Sequence, residues 1–216
     1  MKKYLSIFVM MTVLLVSHAD VFALKAYFGL KAGAGIANLQ YSETTSSLSQ
    51  DTTRSRLAPE IGAFVEIGIT PEWAVELDLM YQQRGGKFTN GTLKLDYIGL
   101  SPFFKWYPIG GRDNDLFGFY LGLGASFQFL ADATFKGVED TTIEEFNVSI
   151  PLGFGIFIAM TERMDFIFDF RADFGITNVS TSGGAARSGG TALPTVDEDI
   201  RTRAYTLSIG FRYKLY

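Results

Sequence analysis

The chain has 216 residues, a formal net charge of -4, no cysteine, and a single histidine, His18. Without thiols there is neither a disulfide framework nor a thiolate metal site, and with its only histidine in the leading segment the rest of the chain lacks the means for a Ser-His-Asp or Cys-His nucleophile, a histidine zinc site or an imidazole proton shuttle. The acidic balance, with Lys and Arg dispersed along the chain, excludes the basic cluster that nucleic-acid binding needs.

Residues 1–23 have the layout of an export signal: Lys2 and Lys3 make the basic start, Leu5 to Val16 the apolar run, and Val21-Phe22-Ala23 a small-x-small cleavage site. Residues 24–216 are then expected to form one domain. The alternative is an uncleaved anchor helix, for which the apolar run is short. No later segment offers the roughly 20 consecutive apolar residues of a membrane helix, so any membrane span has to be built from strands.

Eight segments alternate in character, as strands that sort side chains onto two faces do. The first sets Phe28, Leu30, Ala32, Ala34 and Ile36 against Gly29, Lys31, Gly33 and Gly35. The second sets Ile61, Ala63, Val65, Ile67 and Ile69 against Gly62, Phe64, Glu66 and Gly68, and Thr70-Pro71-Glu72 turns the chain. The third opposes Val75, Leu77, Leu79 and Tyr81 to Glu76, Asp78, Gln82 and Arg84, after which Gly85, Gly86, Asn90 and Gly91 predict a loop. In the fourth, Ile98, Leu100, Pro102, Phe104 and Trp106 face away from Tyr97, Gly99, Ser101, Phe103 and Lys105; Pro102 lacks a ladder donor. A polar turn over Gly110 to Asp115 leads to the fifth, Phe119 to Phe129 alternating with Tyr120, Gly122, Gly124, Ser126 and Gln128. The sixth alternates Val148 to Ile158 with Asn147, Ser149, Pro151, Gly153 and Gly155. Thr161 to Arg163 turns into the seventh, where Phe166, Phe168, Phe170, Ala172, Phe174 and Ile176 back onto Asp169, Arg171, Asp173 and Gly175. The eighth sets Tyr205, Leu207, Ile209, Phe211, Tyr213 and Leu215 against Thr206, Ser208, Gly210, Arg212 and Lys214. The runs before Thr70-Pro71-Glu72 and Thr161-Glu162-Arg163 form a faint repeat, a hairpin unit used twice.

Connections near Pro71, Gly110 and Glu162 are brief, whereas 38–57, 83–92, 131–144 and 178–200 are mostly longer and polar. Short turns on one rim and long loops on the other characterise bacterial outer-membrane barrels, with the long loops outside the cell. The expected fold is therefore all-β: an eight-stranded antiparallel up-and-down transmembrane β-barrel, with both mature termini on the periplasmic rim. The inside-out alternative is a soluble lipocalin-like barrel. Volume argues against it, since the large apolar side chains of eight strands exceed a lumen that eight strands only just fill.

On that parity the lumen receives Lys31, Arg84, Lys105, Arg171 and Arg212 together with Glu66, Glu76, Asp78, Asp169 and Asp173. This balanced set predicts a salt-bridged structural plug; a selectivity lining or proton relay is the functional alternative. Trp73, Trp106, Tyr107, Tyr213 and Tyr216 are expected in an interfacial aromatic girdle, the bland reading being packing at sheet edges.

Several segments resemble the PorT-like family of outer-membrane barrels common in the Bacteroidetes group. They are Phe28-Gly-Leu-Lys-Ala-Gly, Ala58-Pro-Glu-Ile-Gly-Ala, Glu76-Leu-Asp-Leu-Met-Tyr, Leu95-Asp-Tyr-Ile-Gly-Leu-Ser-Pro and the closing Leu207-Ser-Ile-Gly-Phe-Arg-Tyr-Lys-Leu-Tyr. The resemblance covers almost the whole of residues 24–216 and implies a strand meander without catalytic residues. The ending is also similar to the terminal strand signal of outer-membrane insertion, with Tyr216 out of phase with Phe211, Tyr213 and Leu215. Such families include structural and adhesive barrels, and their name derives from a component linked to secretion and gliding.

Gly33-Ala-Gly35 lacks the third glycine and the helix of a dinucleotide fingerprint and is read as barrel packing. Asp113-Asn114-Asp115 and Asp197-Glu198-Asp199 offer oxygen ligands for calcium without EF-hand order, so solvated loop charge is the default. Three functions follow in order. The first is a non-enzymatic outer-membrane barrel in a structural or surface-interaction role, without cofactor. The second is a barrel component of a secretion or transport assembly. The third is a membrane-embedded enzyme, which would need carboxylate chemistry, or a narrow channel. The expected partners are outer-membrane lipid, the barrel-insertion machinery and proteins meeting the loops, and not nucleic acid.

Overall fold

The computed structural model describes residues 25–41, 55–88, 91–112, 116–135, 138–139, 145–177 and 200–215. Its strands are β1 (Ala26–Tyr41), β2 (Arg56–Gly68), β3 (Trp73–Phe88), β4 (Gly91–Ile109), β5 (Phe117–Gly124), β6 (Ser126–Phe135), β7 (Val138–Glu139), β8 (Phe146–Ala159), β9 (Met164–Gly175) and β10 (Ile200–Lys214). All pairings are antiparallel: β1 to β4 pair in succession, β4 meets both β5 and β6, these both meet β8, β8 to β10 follow in succession, and β1 pairs with β10, so the sheet closes on itself. Closure leaves no open edge through the wall, which removes the unpaired backbone groups that a sheet edge would present.

Among the described residues the wall has eight staves, because β5 and β6 form one and the two-residue β7 pairs antiparallel with the end of β6. Across the gap at Ala125 the register against β4 does not slip: Phe103 lies opposite Gly124 and Leu100 opposite Phe127. Against β8 it runs from Leu123 opposite Leu152 to Ser126 opposite Ser149. The gap has a chemical cause in its neighbours. Pro102 accepts the Ala125 N–H at 3.1 Å but has no N–H to return, and Pro151 on β8 lacks one too.

The two hairpins of the faint repeat are closed in the same way. Ile69 and Thr70 donate their N–H groups to the Trp73 carbonyl, and Met160 and Thr161 donate theirs to the Met164 carbonyl. In each turn the threonine hydroxyl accepts two further N–H groups, from Glu72 and Trp73 in the first and from Arg163 and Met164 in the second. The third short turn differs: Gly110 and Gly111 both have positive φ, which glycine adopts without steric cost, and the turn folds under the barrel mouth. There the Arg112 N–H bonds the Pro71 carbonyl (2.8 Å), and its guanidinium donates to the Lys25 carbonyl (2.8 Å).

The loop expected over 83–92 is largely strand. Pairing of β3 with β4 continues to Phe88 opposite Gly91, carrying a ribbon beyond the apolar belt that ends at Tyr81 and Ile98. Gly85, at φ 117°, lets the ladder continue where the sequence pattern breaks. Arg56 ties the extension down, donating to the carbonyls of Arg84 (3.3 Å) and Leu93 (3.2 Å) and to Gln83 Oε1 (3.3 Å). Similarly β6 runs on to Phe135 inside the span expected as loop. The Asp113–Asp115 and Asp197–Asp199 segments and Tyr216 lie outside the described residues.

Candidate functional site

The outer surface is hydrocarbon-like. Along β2, Leu57, Ile61, Val65 and Ile67 are exposed; along β10, Tyr205, Leu207, Ile209, Phe211 and Tyr213 are, and the other staves repeat this. The inner face of the same strands is buried and polar, with Glu66, Glu76 and Asp78 each 0% exposed. Burying ions while exposing leucines inverts the arrangement of a water-soluble protein. It suits a strand that separates lipid from a polar interior.

All ten charges assigned to the lumen by alternation are buried on this face. They meet mainly through Glu76 of β3, which accepts Lys31 of β1 (3.0 Å), Lys105 of β4 and Arg171 of β9 (2.6 Å). Asp78 takes Arg171 (2.6 Å) and Lys31, and Asp169 takes Arg171 (2.9 Å) and Lys31 (3.5 Å). Towards the short-turn rim, Glu66 receives Lys105 (2.9 Å), the Tyr107 hydroxyl (2.8 Å) and Arg212 (3.1 Å). Arg212 also bonds Asp165 (2.6 Å) and the Arg112 carbonyl (3.0 Å). Towards the other rim, Arg84 pairs with Asp173 at 2.9 Å. Glu60 accepts from Ser208 (2.6 Å) and Gln82 (3.3 Å). A layer of amides and hydroxyls lies at the same end, with Asn147 donating to Gln128 (2.7 Å) and Ser101 to Ser126 (2.7 Å).

The lumen is thus less balanced than the ten residues alone. Glu60, Asp165 and Arg112 are buried as well, adding two carboxylates against one guanidinium, while Asp96 is buried on the outward parity of Ile98, opposite Gln83. Asp96 is met at 2.9 Å by Lys94, on the ribbon beyond the belt, and that hydrogen bond holds the Lys94 ammonium above the ordinary lysine value. Tyr107 is a second correction. It is not in the outer girdle but inside, 1% exposed and hydrogen-bonded to Glu66, because it shares its strand face with Phe103 and Lys105. Trp73 and Trp106 do face outward, stacked at 5.8 Å, and Tyr213 is exposed beside Arg163.

Sequence reasoning missed how the interior is filled. Four rings lie against glycines in adjacent staves, at the place a Cβ would occupy: Phe64 on Gly29, Phe103 on Gly122, Tyr120 on Gly155 and Phe157 on Gly118. A cation then covers the same ring. Lys31 lies 5.2 Å from the Phe64 centroid, Arg171 4.1 Å from Phe103, Lys105 4.2 Å from Tyr120 and Arg212 4.0 Å from Phe157. Each glycine supplies depth for a ring, and each ring supplies a π-face for a charge that is also ion-paired. The sequence signal was available in the inward glycines, once register places an aromatic opposite them.

A closed antiparallel barrel, apolar outside and ionic within, defines a membrane-spanning β-barrel. Residues 18–181 match the family model of the outer membrane protein beta-barrel domain; the chain belongs to that family, and its place is the bacterial outer membrane. Among solved structures, the outer membrane protein OprG from Pseudomonas aeruginosa is 16% identical with a TM-score of 0.54, the match covering 89% of this chain and 97% of that one. Neisserial surface protein A is 19% identical (TM-score 0.49, covering 87% and 97%). The Escherichia coli outer membrane protein W is 17% identical (TM-score 0.43, covering 86% and 97%). The likeness to OprG is one of fold. No curated protein matches the chain.

Proposed function

We propose that the chain is a non-enzymatic barrel with a closed lumen, a structural element of the outer membrane that shows its long connections to the outside and keeps both strand termini on the periplasmic side. The observation that carries this reading is the junction at Glu76, where cations from three other staves converge on one carboxylate in the middle of the interior. Ions so paired are costly to separate, and among the described residues rings seated on glycines and covered by cations occupy the interior. The Gly110–Arg112 turn, tucked under the short-turn mouth, supports closure at that end. The finer PorT-like assignment rests on the segments that carry that resemblance. Lipid, the insertion machinery and proteins meeting the loops are the partners such a barrel requires or permits.

Planar-bilayer recording on the purified full-length protein tests the reading. A closed lumen gives no stable conductance steps; large, long-lived steps would replace the structural role with a channel. Crosslinking in intact cells followed by purification extends the test: capture of one defined periplasmic protein would move the barrel into a secretion or transport assembly.

A further inference from the structure

The outward face of β10 changes character at one point. From the short-turn rim it presents Leu215, Tyr213, Phe211, Ile209, Leu207 and Tyr205, all exposed and apolar or aromatic, and then Arg203 and Arg201, both exposed. Successive residues on one strand face are about 7 Å apart, so the two guanidinium groups rise directly from the edge of the apolar belt. Arg203 is held there against the wall. Its guanidinium lies 5.7 Å from the Phe174 ring on β9, and Phe174 in turn meets Tyr205 edge-on at 6.5 Å. The same rim carries exposed Lys87 on β3, half-exposed Lys94 on β4, which is paired with Asp96, and exposed Asp132 and Glu145. At the opposite rim, among the described residues, the exposed charges are mixed, with Glu72 and Glu162 alongside Arg163. On β10 itself the outward face passes directly from aromatic and aliphatic side chains to two cations.

We propose that Arg201 and Arg203 dock the phosphate groups of an anionic lipid in the outer leaflet. The chemistry follows from the juxtaposition. Guanidinium groups match phosphate oxygens with paired hydrogen bonds, and a ligand whose phosphate sits at Arg203 has Tyr205, Phe174 and Leu207 directly below for its acyl chains. A free anion would use the arginines alone; an amphiphile uses both. The leaflet assignment rests on the orientation given under the proposed function, whereas the lipid chemistry does not.

The test uses the full-length protein in detergent micelles, with native mass spectrometry reading retention of three probes: bis-phosphorylated lipid A, the same lipid after phosphatase treatment, and inorganic phosphate. The wild-type protein retains the phosphorylated lipid. The Arg201→Gln/Arg203→Gln double variant binds it roughly 30-fold more weakly, taking each arginine's attraction to an anionic surface at its usual size. Unchanged binding by the double variant, equal retention of the dephosphorylated lipid, or equal binding of inorganic phosphate overturns the proposal. A separate arm addresses orientation: because the chain has no cysteine, a Lys87→Cys variant is labelled in intact cells by a membrane-impermeant maleimide. Labelling supports the outer leaflet. Absence of labelling in cells whose lysed membranes do label overturns the orientation and with it the leaflet, even where binding in micelles persists.

Discussion

Glu76 is surrounded by Lys31, Lys105 and Arg171, with all four side chains buried, so neutralising the carboxylate removes the one partner all three share and leaves Lys31 and Arg171 to Asp78 and Asp169, and Lys105 to Glu66. Glu76→Gln is expected to cost about 3 to 5 kcal/mol, the usual penalty for breaking a buried pair from one side, read as a lower urea midpoint for unfolding from lipid vesicles. Glu162→Gln at an exposed turn is the control, expected to change stability by about 0.5 kcal/mol or less. The ring-on-glycine contacts give a second expectation. In Gly122→Ala the new methyl enters the space of the Phe103 ring, an overpacking worth about 1 to 3 kcal/mol. Adding Phe103→Leu is expected to recover part of that loss, as coupled neighbours do, and strictly additive losses would show that the ring does not rest on Gly122. At this scale the buried charges were legible because alternation puts Lys31, Glu66, Glu76 and their partners on one face. The cation's place over a particular ring was not, since it depends on which glycine the register sets beside that ring.

Turns and strands were unevenly legible. The resemblance between Thr70-Pro71-Glu72 and Thr161-Glu162-Arg163 corresponds to one hydrogen-bond pattern used twice, with a threonine hydroxyl accepting two N–H groups in each turn. Thr70→Val and Thr161→Val are each expected to cost about 1 kcal/mol, the net worth of the hydrogen bonding removed, measured by the same urea titration. Pro102 was visible as a missing donor, and the ladder does lapse beside it at Ala125. Pro102→Ala restores the donor and is expected to slow amide exchange around Ala125 and add roughly 1 kcal/mol of stability; faster exchange would mean that the proline ring itself holds the wall. Two features could not be read locally. The ribbon over Gly85 and Gly86 is strand because β4 pairs with it and Arg56 bonds its carbonyls, and both partners are distant in sequence. Tyr107 looked like a girdle residue from its position next to Trp106 and a turn, but strand parity outranks position, and the parity of Phe103 and Lys105 carries it inside.

For the whole molecule, one physical asymmetry organises everything else: hydrocarbon outside, paired ions and rings inside, on staves whose register shifts in β4 at Trp106–Ile109 against β5 and at Asp96–Tyr97 against β6. A one-residue slip in β2, β3, β4, β9 or β10 would turn inner ionic side chains outward into lipid, so the interior network and the belt specify the same register. The absence of cysteine makes this asymmetry directly measurable. Single cysteines at Ser208 and Ser149 on the inner face, and at Leu207 and Ile150 on the outer face, would be probed in lipid vesicles with a water-soluble maleimide and with a fluorophore quenched by lipid-borne nitroxide. The maleimide is expected not to reach Ser208 and Ser149 in the folded barrel, while fluorophores at Leu207 and Ile150 are quenched by the lipid. Rapid labelling at Ser208 and Ser149 from water, or quenching by lipid at those inner positions, would contradict this asymmetry.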